Sequence, residues 1–177
     1  MEDINKKIQN LEFIVAMRRL QDENTPANRS KMISEMMRTN FISPAIVSAE
    51  EEEKVRQNKE KGIRTPVHVS FKVIHTKDGR KFLPAFTDTI QMKEWKERTN
   101  MTDPVKNMVM NFDVYAQYVF GSKGALSGFV INPFGENIVF PEELMRSLLK
   151  QKMEHAARAA KARGGNGGSH GSQNHAD

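Results

Sequence analysis

Residues 126–149 read LSGFVINPFGENIVFPEELMRSLL, two apolar segments separated by a proline-glycine turn and followed by a helical pattern. Pro133 fixes its own φ and Gly135 is free to adopt φ > 0, so residues 132–135 are predicted to form a turn. Pro141 suits the first turn of a helix, where its missing N–H is not needed. The stretch therefore predicts a β-hairpin that leads directly into a helix.

Length and composition exclude several classes of protein. A chain of 177 residues fits one domain with a sizeable core. The absence of cysteine excludes disulfides, zinc–thiolate sites and a cysteine nucleophile. The chain has no apolar run of about 18 residues and no apolar segment near its acidic N-terminus. We therefore expect a soluble cytoplasmic protein without a signal peptide or a membrane partner.

The net charge of +5 is concentrated in one segment. Residues 144–163 contain a single acidic residue, Glu154, whereas the rest of the chain has 21 basic and 21 acidic residues. The candidate electrostatic contacts are the basic residues of this segment: Arg146, Lys150, Lys152, Arg158, Lys161 and Arg163. Residues 164–177 are rich in glycine and lack large apolar side chains, so we expect them to be disordered.

Apolar periodicity predicts a helical hairpin at the N-terminus. Residues 4–20 are predicted to form a helix that buries Ile4, Ile8, Leu11 and Val15, with a second apolar row of Phe13, Met17 and Leu20. Thr25 is a suitable N-cap and Pro26 a suitable first residue for a second helix. The apolar residues expected to be buried there are Met32, Ile33, Met36 and Met37.

The middle of the chain alternates between strand and helix patterns. Residues 41–47 are predicted to form a strand that Pro44 confines to an edge or to pairing on one side, and the charged residues 50–61 a solvated loop or surface helix. Residues 67–73 alternate as one half-buried strand, and Asp78-Gly79 predicts a hairpin into residues 81–86. A short helix capped by Thr87 or Asp88, a strand over residues 105–110 and a helix ending at Gly121 are then expected. The order predicts an α+β domain with a largely antiparallel sheet built from hairpins, on which the N-terminal helical hairpin and further helices pack.

These elements resemble the N-terminal domain of the SseB family, named for enhanced serine sensitivity. The matching segments are Asn10-Leu11-Glu12, Phe41-Ile42-Ser43-Pro44, Leu83-Pro84-Ala85-Phe86-Thr87 with Trp95 downstream, and Ile131-Asn132-Pro133-Phe134-Gly135-Glu136-Asn137 with Phe140-Pro141. The resemblance implies a bacterial cytoplasmic domain without an established catalytic activity or cofactor. It places an SseB-like domain at residues 1–150 and a basic helical extension with a glycine-rich tail at residues 151–177. Longer members carry a second C-terminal domain, and we expect this extension in its place.

Four residues are candidate contacts for an unidentified protein partner: Asn132, Phe134, Trp95 and Tyr118. An aromatic residue exposed at a hairpin tip suits an interface anchor. The alternative is structural: Asn132 or Asn137 would bond to local backbone and Phe134 would cap the core. Trp95 would be buried or half-buried, and Tyr118 would pack mostly inside but with more exposure than Tyr115.

The sequence offers little support for catalysis. His68 and His75 lie seven residues apart, which places them on opposite faces of an extended chain. The sequence contains no His-x-x-x-His motif and no cluster of aspartate or glutamate with ligand spacing. Residues 121–124, GSKG, lack the spacing and context of a phosphate-binding loop. We therefore expect no catalytic, metal or cofactor site. A protein-binding or regulatory module is the favoured hypothesis, and weak nucleic-acid association through the basic segment is the alternative. The partner and the oligomeric state remain open.

Overall fold

The computed structural model describes residues 8, 10–63 and 68–164, with side chains up to Lys161. The expectations for Ile4, Val67 and the tail after residue 164 lie outside this part of the chain. The described part contains six helices and seven strands. In chain order they are α1 Leu11–Asp22, α2 Pro26–Met36, β1 Asn40–Ile46, α3 Ala49–Glu60, β2 Ser70–Phe71, β3 Ile74–His75, β4 Lys81–Ala85, α4 Thr89–Arg98, β5 Lys106–Asn111, α5 Phe112–Gly121, β6 Gly128–Ile131, β7 Ile138–Pro141 and α6 Glu142–Gly164.

The strands form two sheets rather than one. A three-stranded antiparallel sheet has the order β2-β1-β5, and a four-stranded sheet has the order β3-β4-β6-β7. Only the β4–β6 pair of the second sheet is parallel. The sheets meet at an antiparallel bridge between Ile42 and Phe86, whose backbone N–H and C=O groups bond reciprocally at 2.9 and 2.8 Å. The predicted α+β class with largely antiparallel pairing is confirmed.

The alternating segment over residues 67–73 is not one strand. Ser70–Phe71 pairs with β1, whereas Ile74–His75 pairs with β4 in the other sheet. The chain therefore changes sheets at residues 72 and 73. Alternation of apolar and polar residues indicates an extended chain but does not identify the sheet that the chain joins.

The strand around Pro44 is confirmed, but it neither lies at an edge nor pairs on one side only, so both predicted alternatives are wrong. β1 is the central strand of its sheet and pairs with β5 through residues 40–45. Because N–H groups alternate sides along a strand, position 44 faces the same side as Ile42. That side is occupied by Phe86 opposite Ile42 and by β2 opposite Ala45 and Ile46. Pro44 lies between these contacts, where no ladder donor is needed.

The N-terminal helix buries the second of its two predicted apolar rows and exposes much of the first. Ile8 and Asn10 precede the helix, which begins at Leu11. Phe13, Ala16 and Met17 are buried, whereas Leu11 is 66% and Val15 39% exposed. The sequence contains two apolar rows at helical spacing and predicts that both are covered, but the row of Leu11 and Val15 is exposed. The helical hairpin itself is confirmed, since Thr25 caps α2 through a bond from the Asn28 N–H.

Other predicted elements form as expected. The charged segment is the surface helix α3, and Asp88 caps α4 by accepting the Gln91 N–H at 2.9 Å. Gly79 has φ +82° in the β3–β4 turn. In the first unit, buried aromatic rings of the two sheets meet rings from α1 and α5. Phe129 stacks on Phe140 with centroids 5.0 Å apart and on Tyr115 at 4.7 Å.

The chain divides into two compact units, one ending at Glu142 and one beginning at Glu143. The second unit contains α6 from Glu143 onward, and the side chains from Lys150 to Lys161 are all exposed. The boundary predicted after residue 150 stays a prediction.

Candidate functional site

The β6–β7 turn is built differently from the prediction. The residues with positive φ are Asn132 (46°) and Asn137 (51°), and Gly135 does not adopt the left-handed region. The Asn132 carbonyl accepts the N–H of Gly135 at 2.8 Å and that of Asn137 at 2.9 Å. Asparagine tolerates positive φ better than other residues with side chains, so the two asparagines carry the turn.

The Asn132 side chain points into the protein and is 2% exposed. Its Oδ1 accepts the Thr87 N–H at 3.0 Å, and its Nδ2 donates to the Thr87 hydroxyl at 2.9 Å and to Glu136 Oε2 at 2.7 Å. The role of Asn132 as a surface contact is therefore wrong. Its buried amide bonds within the fold, but its backbone partner is Thr87, 45 residues away, and not the local backbone that the structural alternative proposed.

Thr87 connects this turn to two other parts of the chain. Its carbonyl accepts the Asn10 Nδ2 at 2.8 Å, and the same Asn10 nitrogen donates to the Asn40 carbonyl at 3.0 Å. The Thr87 hydroxyl donates to Asp88 Oδ2 at 2.9 Å. We call Asn10, Thr87 and Asn132 the polar junction. Its members come from three of the segments that carry the family resemblance, and no local pattern in the sequence indicates that they meet.

Phe134 lies two residues from Asn132 and remains at the surface, 44% exposed. The Arg98 guanidinium of α4 lies 5.5 Å from the centre of the Phe134 ring. This placement agrees with the predicted aromatic residue at the tip of the hairpin. Its role as a partner contact stays a prediction.

Trp95 is almost entirely buried, with 3% of its surface exposed. Its ring packs on Phe86 at 5.4 Å, in a cluster with Ile8, Ile42 and Met92. Trp95 is therefore a core residue, as its structural alternative proposed, although one side of it borders the cleft described next.

Tyr118 is half-buried and packs edge-to-face on Phe71, with centroids 4.7 Å apart. Tyr118 is not among the residues that line the cleft. The four candidate contacts consequently do not form one surface.

A cleft of about 490 Å³ opens beside Phe134. One face of the four-stranded sheet contributes its floor, the end of α4 and the following loop contribute one wall, and the hairpin tip contributes another. The apolar lining residues are Val73, Ile74, Phe82, Trp95, Met101, Val130, Pro133, Phe134 and Val139. Sequence reasoning missed this cleft because strands far apart in the sequence form it.

The cations beside the cleft each have a carboxylate partner. Lys72 pairs with Asp103, Arg80 Nε lies 2.7 Å from Asp78 Oδ2, and Arg98 Nη2 lies 2.6 Å from Glu94 Oε1. The Thr76 hydroxyl and then Arg80 hold the pKa of Asp78 below its ordinary value. Because these charges are largely compensated locally, apolar contact dominates what the cleft offers a ligand.

Groups suited to catalysis or metal binding do not converge in the described part of the chain. No group of three histidine, aspartate or glutamate side chains there is placed to hold a metal ion. His75 lines the cleft, whereas His68 lies beside Glu51, with Nδ1 and Oε2 3.7 Å apart. The Tyr115 hydroxyl donates to the Pro84 carbonyl at 3.2 Å, and burial raises the pKa of Tyr115.

The basic segment forms the second candidate surface. Arg146, Lys150, Lys152, Arg158 and Lys161 are all exposed on α6. At about 100° per residue, Arg146, Lys150, Arg158 and Lys161 fall within about a third of the helix circumference. Lys152 lies on another side, and the side chain of Arg163 is outside the described residues. Glu154 lies within the same sector as the four cations.

Comparison with protein families gives one result. The model of the SseB protein N-terminal domain matches residues 15–147, which is more than half of the chain. No curated protein and no solved structure matches the chain significantly. None of the helices within the described residues is long and apolar enough to cross a membrane.

Proposed function

The chain belongs to the SseB family, and we propose that it acts as a non-catalytic protein-binding or regulatory module. The cleft between the four-stranded sheet, α4 and the β6–β7 turn is its binding surface. We also propose that the protein works in the bacterial cytoplasm, which cell fractionation checks.

The observation that carries this proposal is the exposed apolar cleft with Phe134 at its rim. Phe134 and Val139 are each 44% exposed beside buried Phe82 and Val130. Interfaces concentrate their binding energy on aromatic anchors and the apolar pockets around them. The volume of about 490 Å³ accommodates several side chains of a partner segment.

The compensated charges define the chemistry of the partner. Since Lys72, Arg80 and Arg98 already contact carboxylates, a charged partner gains little from approaching them. Exposed ion pairs contribute little to stability or affinity and weaken further with salt. The expected partner is a protein segment with apolar side chains, and its binding should change little as ionic strength rises.

Affinity capture from a bacterial lysate tests the proposal, with nuclease present and with the full chain as bait. Phe134→Ala removes the rim anchor, and Ile90→Ala is the matched control. Ile90 is 75% exposed on α4 and is not a lining residue of the cleft. A discrete protein that the parent and Ile90→Ala retain and Phe134→Ala loses supports the cleft. Retention of every partner by both Phe134→Ala and Val139→Ser rejects it.

Trp95 offers an independent signal for the purified components. It is the only tryptophan in the chain and it borders the cleft. A segment that enters the cleft changes the polarity around the indole, so the emission wavelength should shift on titration. A small apolar ligand would also shift the emission wavelength, but no protein would then be captured. The two experiments together therefore distinguish a small ligand from a protein partner.

A second candidate function is weak, non-specific nucleic-acid association through α6. The observation behind it is the sector of exposed cations formed by Arg146, Lys150, Arg158 and Lys161. Aromatic residues are absent from the sequence after Phe140, so no base-stacking platform accompanies these cations.

Binding through phosphate contacts falls steeply as the salt concentration rises. We expect a log–log salt slope that corresponds to a few phosphates, and loss of binding when the chain is truncated after Lys150. Full binding by the truncated chain, or binding independent of salt, contradicts this candidate.

A further inference from the structure

The outer edge of β5 differs from the other sheet edges in the described part of the chain. The edge strands β2 and β3 have two residues each, and β7 has four and ends at Pro141. β5 has six residues, KNMVMN, without proline. Short strands and proline protect an edge from further pairing. β5 lacks both protections.

The pairing of β1 determines which backbone groups of β5 face outward. Ile42 directs its N–H and C=O toward Phe86, so its neighbours Phe41 and Ser43 direct theirs toward β5. Those two residues lie opposite Met110 and Met108. The backbone groups of Asn107 and Val109 must therefore point away from β1, toward the open edge.

The β7 edge provides a comparison. The Glu142 N–H donates to the Ser127 carbonyl at 2.9 Å, and alternation along the β6–β7 ladder directs the groups of Phe140 toward β6. Val139 and Pro141 then face outward, and Pro141 has no N–H. The β7 edge has one residue, Val139, that presents both an N–H and a C=O outward. The β5 edge has two such residues, Asn107 and Val109.

The side chains of β5 also permit close approach of another strand. Val109 is 44% exposed, and Asn107 and Met108 are half-buried. The only charged residue of the strand is Lys106, whose Nζ lies 2.7 Å from Glu52 Oε1. No uncompensated charge within β5 opposes an incoming strand.

From this geometry we propose that β5 is a dimerisation edge whose occupant is β5 of a second copy. The two strands run antiparallel about a two-fold axis at Met108. Asn107 of each copy pairs with Val109 of the other, which gives four backbone hydrogen bonds, and Met108 faces its counterpart. The pairing is self-complementary because the same two residues supply every donor and acceptor. It joins two three-stranded sheets into one six-stranded sheet and places Lys106 opposite Met110, so no like charges face each other.

Proline substitution tests the edge with little effect on the fold. Val109→Pro removes an N–H that points outward and leaves the bonds between β1 and β5 in place. Two of the four intermolecular bonds are lost per dimer, which should weaken dimerisation roughly thirty-fold. Sedimentation velocity over a concentration series that reaches the millimolar range measures the change in the full chain. Ile90→Lys is a control for a change at an exposed apolar residue away from β5, and it should dimerise like the parent.

Hydrogen exchange locates the contact. In the parent, exchange of the Asn107 and Val109 amides should slow as the protein concentration rises, while the Val139 amide on β7 should not respond. If Val109→Pro fails to fold by circular dichroism, Asn107→Pro makes the same test, since its N–H also points outward. A parent chain that is monomeric throughout the series overturns the proposal. A dimer that survives both folded proline variants, or that leaves the β5 amides unprotected, overturns it as well.

Discussion

Asn132 and Phe134 are two residues apart in the same turn, yet their environments are opposite. Asn132 is 2% exposed and makes three side-chain hydrogen bonds inside the protein. Phe134 is 44% exposed, and Arg98 lies over its ring. The same family motif therefore contains an inner end that closes the fold and an outer end that remains available for contact.

The positive φ of Asn132 produces this division. It lets the chain leave β6 and turn while the amide stays directed at Thr87 and the carbonyl accepts two turn N–H groups. Pro133 and Phe134 then lie beyond the sheet and border the cleft. We therefore expect substitutions at Asn132 and in the residues beneath it to lower stability. Substitutions at Phe134 should lower the affinity for the partner.

The largest effect is expected at the base of the hairpin, where Gly128 lies opposite Pro141. A Cβ at Gly128 would lie 2.1 Å from the Phe140 carbonyl oxygen, and φ is +143°. Because the neighbour is backbone, Gly128→Ala should lower the free energy of unfolding by more than about 4 kcal/mol. Chemical denaturation measures the loss.

Gly121→Ala is the matched control for that substitution. Apart from its chain neighbours and the backbone of its own helix, no atom of the described residues lies within 4 Å of a Cβ built at Gly121, and its φ is not in the left-handed region. Its stability should equal or slightly exceed that of the parent. Equal stability of the two variants would show that the hairpin base tolerates a side chain, which contradicts the geometry at Gly128.

Trp95 should give the next largest effect, because it supports the cleft from beneath. Trp95→Ala removes the ring that packs on Phe86 and leaves a cavity in the cluster, which should lower stability by about 3–5 kcal/mol. Thermal and urea unfolding measure the loss. Trp95→Phe retains an aromatic ring and should lose much less. If Trp95→Ala is as stable as the parent, the cleft wall is not part of the core.

Asn132→Ala should lower stability by about 3 kcal/mol. It leaves the buried Thr87 N–H without its acceptor, which costs about 1–3 kcal/mol. It also places alanine in the left-handed region, which costs about 1–2 kcal/mol. Asn132→Gly separates the two contributions because glycine accepts this φ without strain. We expect Asn132→Gly to be more stable than Asn132→Ala by about 1 kcal/mol in urea unfolding. Equal stability would show that backbone strain does not contribute to the loss.

The sequence predicted elements whose pattern is local and repeated. Phe112, Tyr115, Ala116 and Val119 recur at helical spacing and are all buried on α5. The Asp78-Gly79 turn and the hairpin around residues 132–137 also follow from turn residues. Each of these features depends on residues that are close together in the chain, so the local sequence contains the information needed to predict it.

The incorrect predictions arise where residues far apart in the sequence determine which side chains are buried. Val15 has the spacing of a buried residue, but the row of Phe13 and Met17 faces the core because Phe13 meets Phe41, with centroids 5.5 Å apart. The polar junction joins Asn10 to Thr87, 77 residues away. A short polar residue at the end of a buried strand indicates a buried hydrogen bond of this kind. It does not identify the residue that forms the other half of the bond.

Phe134→Ala should give the smallest change in stability and the clearest change in binding. Contact between Arg98 and the exposed ring is worth about 0.5–1 kcal/mol, so urea unfolding should shift by no more than that. Loss of an aromatic anchor from an interface commonly weakens binding by about 2 kcal/mol or more, which is roughly thirty-fold or more in affinity. Asn132→Gly, measured under conditions where it is folded, should reverse this order and lose stability while keeping the partner. If Phe134→Ala instead loses several kcal/mol of stability, Phe134 belongs to the core and the two ends of the turn have the same role.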